Sequence, residues 1–385
     1  MKKKILFFIN SMSGGGAERI LNTILYDIQD EFDVTLVLIE SKISYDLPKN
    51  TDIVVLAGVV GDSSIVKLMN IGMLAFKLAR LSNRLKADYT FSLTTRPNLI
   101  NSLSKYFRNK AVNIIYEVTT PSKIYSRNNF LSRVMCFFIR TAYPMTNTII
   151  CNSHGVSHDL KVNFGIKKNI ETVYSPIDIK HVKEQANAAC SLIDDSAVNL
   201  ITVGRLDYGK NHEMMIRAFA NIKNKNSYLY ILGEGELELY LKGVAQDLNI
   251  GKRVIFLGFD NNPYKYLKKC DIFLFSSKFE GFPTVLIEAL ACQLPVISTD
   301  CKSGPREILS SFNSATTKEK EVEFCEFGIL TELDNQNSFT NAIDLMISSN
   351  GVREDFKGKS LFRAGHFSKE KSIPCLLKVI TSQCN

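Results

Sequence analysis

A chain of 385 residues is too long for one ordinary hydrophobic core, and at 45% hydrophobic content it is globular, so two α/β domains are the first expectation. Nine cysteines form no C-x-x-C pair and no metal-ligand spacing with the five histidines, which argues against a disulfide framework or zinc site and suits reduced thiols in a cytoplasmic protein. The formal charge of +8 is uneven: from residue 64 to 168, 16 Lys and Arg stand against three acids (Asp88, Glu117, Asp159), a net of +13 that leaves the rest of the chain acidic.

In chain order, MKKKILFFIN places basic residues before an apolar run that ends at Ile9. That run is too short for a signal peptide or membrane span and reads as a buried strand over 4–10. A helix over 17–29 follows, then strands over 33–40 and 52–56, a helix over 65–85, a strand over 89–93 and a helix over 99–106. A strand over 112–116, a helix over 130–143, a strand over 148–151 and a helix after Asn152 complete the first half. Such alternation predicts a parallel sheet with helices on both faces and ligands at the carboxyl ends of its strands. The helices over 65–85 and 130–143 set Lys and Arg beside apolar residues, which suits an anionic membrane surface as well as an ordinary core helix with solvated charges. Nucleic acid is disfavoured, because these cations lie among Leu, Met and Phe rather than in glycine and aromatic modules.

Two loops stand at those strand ends. SMSGGGAER (residues 11–19) brings Gly15 and Gly16 to a helix start, where backbone can approach a ligand closely. It is not the dinucleotide fingerprint, since Arg19 stands in place of the third glycine. YEVTTPS (residues 116–122) ends a strand on Glu117, which fits a catalytic group and an ion pair with a neighbouring Arg equally well. His154 and His158 share a helix face without a third ligand, so they read as exposed polar residues. The polar stretch 178–195 reads as an interdomain connector.

The second half opens with a strand over 199–203, then Arg205, with Lys210 beginning the next helix. A forked Arg and a point-charge Lys at that spacing would converge on one anion. Gly233 and Gly235 end the next strand without the third glycine of a dinucleotide site, and the backbone from Leu257 to Phe259 would border a base. After an apolar strand, Gly281 and Pro283 break the run before VLIEALA resumes with helical spacing. Glu280 lies in that turn and Glu288 about two helical turns on, while the N–H groups of Phe282, Thr284 and Val285 would point at a diphosphate. Residues 310–327, with a Lys/Glu run at 318–321, read as a solvated insert, and a last helix is expected over 368–380.

EGFPTVLIEA (residues 280–289) resembles the E-x7-E signature of retaining glycosyltransferases of family 4; PVISTDCKSGPREIL, GRLDYGK and the glycine loop are similar to that family's following strand, phosphate clamp and first loop. The resemblance implies the GT-B fold, two Rossmann-like doubly wound domains facing each other across a cleft. An acceptor domain over 1–178, a nucleotide-sugar domain over 179–367 and a terminal helix (368–385) returning to the first are then expected. It further implies transfer of a hexose or N-acetylhexosamine from a UDP-sugar to a polyprenyl-diphosphate-linked saccharide with retention, in surface polysaccharide or glycan synthesis at the cytoplasmic membrane face. Arg205, Lys210 and the helix starts after Pro283 and Gly16 would stabilise the leaving diphosphate, Glu280 would orient the sugar, and Glu288 would hold the ribose. Gly233, Leu257, Gly281, Phe282 and Pro283 would line the donor, and no metal or cofactor is implied. Two departures stand out: Ser175 precedes Pro176 where Asn is usual, and the Glu117 loop lacks a His. The second keeps open an alternative, a nucleotide-sugar-binding or scaffold protein that has lost transfer.

Overall fold

The structure is a computed structural model and describes residues 2–58, 64–126, 129–193, 196–311 and 321–382. The chain divides into two compact units, Met1–Pro176 with Lys369–Asn385, and Ile177–Ser368. Each is built on a seven-stranded sheet.

In the first unit the strands are β1 (Lys3–Ile9), β2 (Phe32–Glu40), β3 (Asp52–Gly58), β4 (Tyr89–Leu93), β5 (Val112–Glu117), β6 (Thr148–Cys151) and β7 (Ile170–Thr172). They pair in parallel in the order β3-β2-β1-β4-β5-β6-β7. The unbroken apolar run of β1 is explained by burial on both faces, because alternate side chains point to opposite sides. Ile5, Phe7 and Ile9 pack with Ile20, Ile24 and Ile28 of helix Gly16–Ile28, whereas Leu6 and Phe8 pack with Ile71, Leu74 and Leu78 of helix Ser64–Leu85. Helix Lys369–Thr381 adds Ile373, Leu376 and Ile380 to the first of these layers and ties itself there through Lys369 Nζ to Asp27 Oδ1 at 3.0 Å.

The second unit carries β8 (Val198–Val203), β9 (Ser227–Leu232), β10 (Val254–Gly258), β11 (Ile272–Phe275), β12 (Val296–Thr299), β13 (Val322–Phe324) and β14 (Ile329–Thr331), in the order β10-β9-β8-β11-β12-β14-β13. All pairs are parallel except β13 with β14. In both sheets the strand order reverses beside the first strand, between β1 and β4 and between β8 and β11. At such a point the two following loops leave in opposite directions and open a crevice at the strand ends.

Two expectations fail. The polar stretch 178–195 is not a bare connector: Ile179–Ala186 is a helix, capped by Asp178, whose carboxylate accepts from His181 N at 2.8 Å, and it buries Val182 and Ala186. Two apolar residues four apart suffice to seat a short helix, and the polar average hides them. Nor is 310–327 wholly an insert, since β13 closes an antiparallel edge on β14; the Lys/Glu run at 318–321 falls, except for Glu321, outside the described residues.

Candidate active site

The loops that follow β8 and β11 meet at the reversal point of the second sheet. Asp207 accepts from Lys210 N at 3.1 Å and closes a short 3-10 turn, Tyr208–Lys210. Lys210 therefore does not begin the next helix as expected. Asn211, in the left-handed region at φ 54, turns the chain into helix His212–Ala220. From the other loop, Ser276 Oγ donates to Lys210 O at 2.8 Å and Lys278 N donates to Gly209 O at 2.8 Å. The two loops are thus bonded along their length, and Lys210 Nζ comes to donate to Glu280 Oε1 at 2.6 Å. The pair is shielded but open, with side-chain exposures of 27% for Lys210 and 15% for Glu280. Burial works to lower the Lys210 pKa, and Glu280, with Asp207 behind it, overrides this and raises it.

Glu280 is followed by the turn that starts helix Thr284–Ala291. Gly304 fixes this turn from outside: it sits at φ 93, where a Cβ would lie 2.2 Å from Pro283 Cδ, and its neighbour Ser303 donates from Oγ to Gly281 O at 2.7 Å. Phe282 is buried against the Phe367 ring, with centroids 5.3 Å apart. Thr284 and Val285 are half-buried at the first two helical positions, whose N–H groups have no acceptor within the helix. Glu288 stands one turn beyond the helix start and is 3% exposed; Tyr264 OH donates to its Oε1 at 3.4 Å.

Not every expected residue joins this group. Arg205 is exposed and its guanidinium has no hydrogen bond or ion pair among the described residues, so the structure does not pair it with Lys210 on one point. Gly233, at φ 141, owes its identity to packing: a Cβ there would lie 2.0 Å from Gly204 O, and its N–H donates to Gly258 O at 2.7 Å. Leu257 is half-buried in β10 beside that contact.

Gly15, Gly16 and Glu117 belong to the first unit. The glycine loop is tethered rather than open: Met12 N donates to Lys42 O at 2.9 Å, and Tyr45 OH donates to Gly15 O at 3.2 Å. A Cβ on Gly15 would lie 2.3 Å from Glu18 Oε2. The Glu18 carboxylate thus folds over the N-cap residue of the helix that Gly16 begins, as in a capping box, and already puts negative charge where the sequence suggests a diphosphate.

Glu117 is fully buried and forms no ion pair with an Arg among the described residues. Its carboxyl group accepts from Thr119 Oγ1 (2.6 Å), Thr119 N (3.1 Å), Thr95 Oγ1 (3.3 Å), Asn98 Nδ2 (3.4 Å) and Tyr143 OH (2.5 Å). Burial raises its pKa, and the Thr119, Tyr143 and Asn98 hydrogen bonds pull the other way. Enclosed by the side chains of its own domain, Glu117 organises the strand end; it does not present a surface base.

Residues 184–360 match the family described as "Glycosyl transferases group 1". Over 379 residues the chain is 39% identical to the N-acetylgalactosamine-N,N'-diacetylbacillosaminyl-diphospho-undecaprenol 4-alpha-N-acetylgalactosaminyltransferase of Campylobacter jejuni, an alignment covering 98% of this chain and 99% of that protein. The chain belongs to the group 1 glycosyltransferases. Its fold is GT-B: sucrose-phosphate synthase from Thermosynechococcus elongatus superimposes at a TM-score of 0.81 with 14% identity, covering 99% of both chains. Anabaena Alr3699/HepE, solved with UDP and glucose, does so at 0.79 with 17% identity, covering 99% of this chain and 100% of the other.

Three residues of this glycosyltransferase's site give little or no sign of themselves in the sequence. His212 is buried two residues after Lys210, its Nδ1 has no partner among the described residues, and burial, then the Lys210 charge, push its pKa down to about 3. Gly304 could be suspected from the S-G-P tripeptide, a turn signal. Arg363, 1% exposed, donates to the carbonyls of Ile308 (2.7 Å), Glu307 (2.6 Å) and Ser310 (2.9 Å), and so anchors the far end of the segment that holds Gly304 against Pro283. Nothing in its local sequence announces that role.

Proposed function

We propose that this glycosyltransferase moves an N-acetylhexosamine, N-acetylgalactosamine first among candidates, from its UDP-sugar to an undecaprenyl-diphosphate-linked saccharide with retention of configuration. The observation that carries the reading is the Lys210–Glu280 pair, held at the reversal point of the second sheet next to the open N–H groups of Thr284 and Val285. A cation and a helix start side by side suit a diphosphate, and a carboxylate among them suits sugar hydroxyls. Support for donor and acceptor comes from the full-length likeness to the Campylobacter enzyme and from the UDP held by the Anabaena protein of the same fold.

In this reading the second unit holds the nucleotide-sugar and the first the acceptor. Lys210 takes the charge that develops on the departing diphosphate, Arg205 swings in from solvent to add a second cation, and Glu280, released from Lys210, orients the ring. Glu288 meets the ribose, and the acceptor hydroxyl attacks from the face the UDP leaves. The reaction needs no metal ion. The test incubates the purified chain with UDP-sugars and the undecaprenyl-diphosphate-linked acceptor, with and without EDTA, and reads product mass and anomeric configuration. An inverted linkage, a requirement for metal, or no transfer from any UDP-sugar would each remove the corresponding part.

The same reading places the enzyme on an anionic membrane surface. Helix Ser64–Leu85 turns Val66, Met69, Met73 and Phe76 outward, followed on that side by Lys77, Arg80 and Arg84, and Phe76 meets the Phe107 ring with centroids 5.6 Å apart. An apolar stripe that runs into a basic one fits lipid chains and headgroups together. Among the described residues no helix is long and apolar enough to cross a membrane. Sedimentation with vesicles containing phosphatidylglycerol tests the contact, and equal binding to purely zwitterionic vesicles would count against it.

A further inference from the structure

The carboxyl edge of the first sheet carries polar atoms that its own fold leaves without partners. β1 and β4 run in parallel with Phe8 level with Ser92, and Asn10 and Thr94 are the first residues beyond the carboxyl ends of these two neighbouring strands, where the strand order reverses. Asn10 Oδ1, Thr94 Oγ1 and Arg96 Nε are buried and make no hydrogen bond among the described residues. Among the described residues the Arg96 side chain donates only from Nη2, to Lys67 O at 3.4 Å. Glu40 is near enough to act on its charge but forms no ion pair with it among the described residues.

Thr94 adds strain to this incomplete bonding. It holds φ 70 and ψ 155, a region that a β-branched residue adopts only when its surroundings force it. The surroundings are visible: Thr94 N donates to Tyr116 O at 3.3 Å, Asn98 N donates to Thr94 O at 3.0 Å, and Thr95 and Asn98 are both held by Glu117. Glu117 is thus a positioning residue for a strained turn. Buried polar atoms without partners are unfavourable, and three of them, after β1, at the strained residue after β4 and at the start of the helix that follows it, mark a place that a ligand completes.

We propose that Asn10, Thr94 and Arg96 form the subsite that selects the terminal sugar of the acceptor, a reading that rests on the transferase activity proposed above. Asn10 Oδ1 accepts a hydrogen bond, the Thr94 hydroxyl accepts or donates, and Arg96 Nε–H donates. That set complements a ring hydroxyl next to a hydroxyl or acetamido oxygen. It does not complement a diphosphate, because the Asn10 carbonyl oxygen would face an anion.

The experiment compares full-length wild type with Asn10→Ala, Thr94→Ser and Arg96→Lys, using UDP-N-acetylgalactosamine and the undecaprenyl-diphosphate-linked saccharide. Arg96→Lys keeps the charge and loses the guanidinium Nε–H, and Thr94→Ser keeps the hydroxyl, so both guard against a variant that simply fails to fold. The acceptor KM is expected to rise about tenfold or more in Asn10→Ala and Arg96→Lys and to stay within about twofold in Thr94→Ser, while donor KM and the rate of UDP-sugar hydrolysis without acceptor are unchanged. An acceptor KM within about twofold of wild type in both Asn10→Ala and Arg96→Lys overturns the assignment, as does a rise in donor KM of the same size as the acceptor effect. A wild type that neither transfers nor hydrolyses any UDP-sugar overturns the transferase reading itself.

Discussion

Lys210 and Glu280 are separated by 70 residues in sequence and by 2.6 Å in space. Each ends a loop from one of the two central strands of the second sheet, so their contact is a property of the strand order. The carboxylate holds the cation, and in the proposed reaction the two separate to meet different parts of the donor.

The first prediction concerns this pair. Under the proposed function, in which both act on the reacting end of the donor, Glu280→Gln and Lys210→Ala should each lower transfer by about a hundredfold or more. The stability cost should be small, about 1–2 kcal/mol, because the pair is partly exposed. Initial rates and urea melts measured side by side check this, and a loss of activity matched by unfolding would make the pair structural.

His212 predicts an acid limit. A base whose folded pKa of about 3 lies below its unfolded value near 6.5 contributes no penalty above pH 6.5, and stability falls as pH drops through the interval from 6.5 to 3. The slope is at most ~1.4 kcal/mol per pH unit from this group. Replacing it by Asn should flatten the decline, as read from urea midpoints at about pH 7, 5.5 and 4.5.

Glu117 predicts the opposite trend. Its folded pKa is raised, chiefly by burial, so its contribution to stability is greatest below the ordinary carboxylate range and is lost as pH rises through the folded value. Glu117→Gln keeps an acceptor for Thr119 and removes the buried charge. The stability difference, variant minus wild type, should therefore grow in favour of the variant as pH rises above the ordinary carboxylate range, as read from urea midpoints.

Arg363→Met should cost roughly 3 kcal/mol or more, because the carbonyls of Glu307, Ile308 and Ser310 lose a buried donor. The segment that holds Gly304 loosens with it, so UDP affinity measured by calorimetry should fall even at temperatures where the variant is folded.

Gly304→Ala should weaken UDP binding more directly. At φ 93 an added Cβ is both strained and driven into Pro283, and the turn carrying Gly281 and Phe282 must move. A thermal-shift titration with UDP against wild type reads the loss.

Much of the fold is legible in the sequence because parallel strands buried on both faces leave unbroken apolar runs: the strands expected at 89–93 and 148–151 match the structure to the residue. Glu280, Lys210 and the glycine-proline turn are legible as local chemistry at strand ends. Arg205 has the spacing of a clamp and stands in solvent; Gly233 has the position of a ligand contact and is glycine because Gly204 lies against it. Glu117 has the local setting of a base or an ion-paired acid and is instead enclosed by hydroxyl, amide and backbone donors. Sequence spacing reports what a segment can form, not which distant segment fills the space beside it.

The order of apolar and polar residues by itself determined two doubly wound sheets and the loops that end their strands, because period and turn chemistry are local. Only the tertiary structure decided that Lys210 meets Glu280, that Glu18 covers the glycine loop, that Arg363 fastens the Gly304 segment, and that Asn10, Thr94 and Arg96 are left with unmet hydrogen bonds. Those facts depend on which strands lie side by side and on what remains unpaired after packing, and neither is written in any one stretch of the chain.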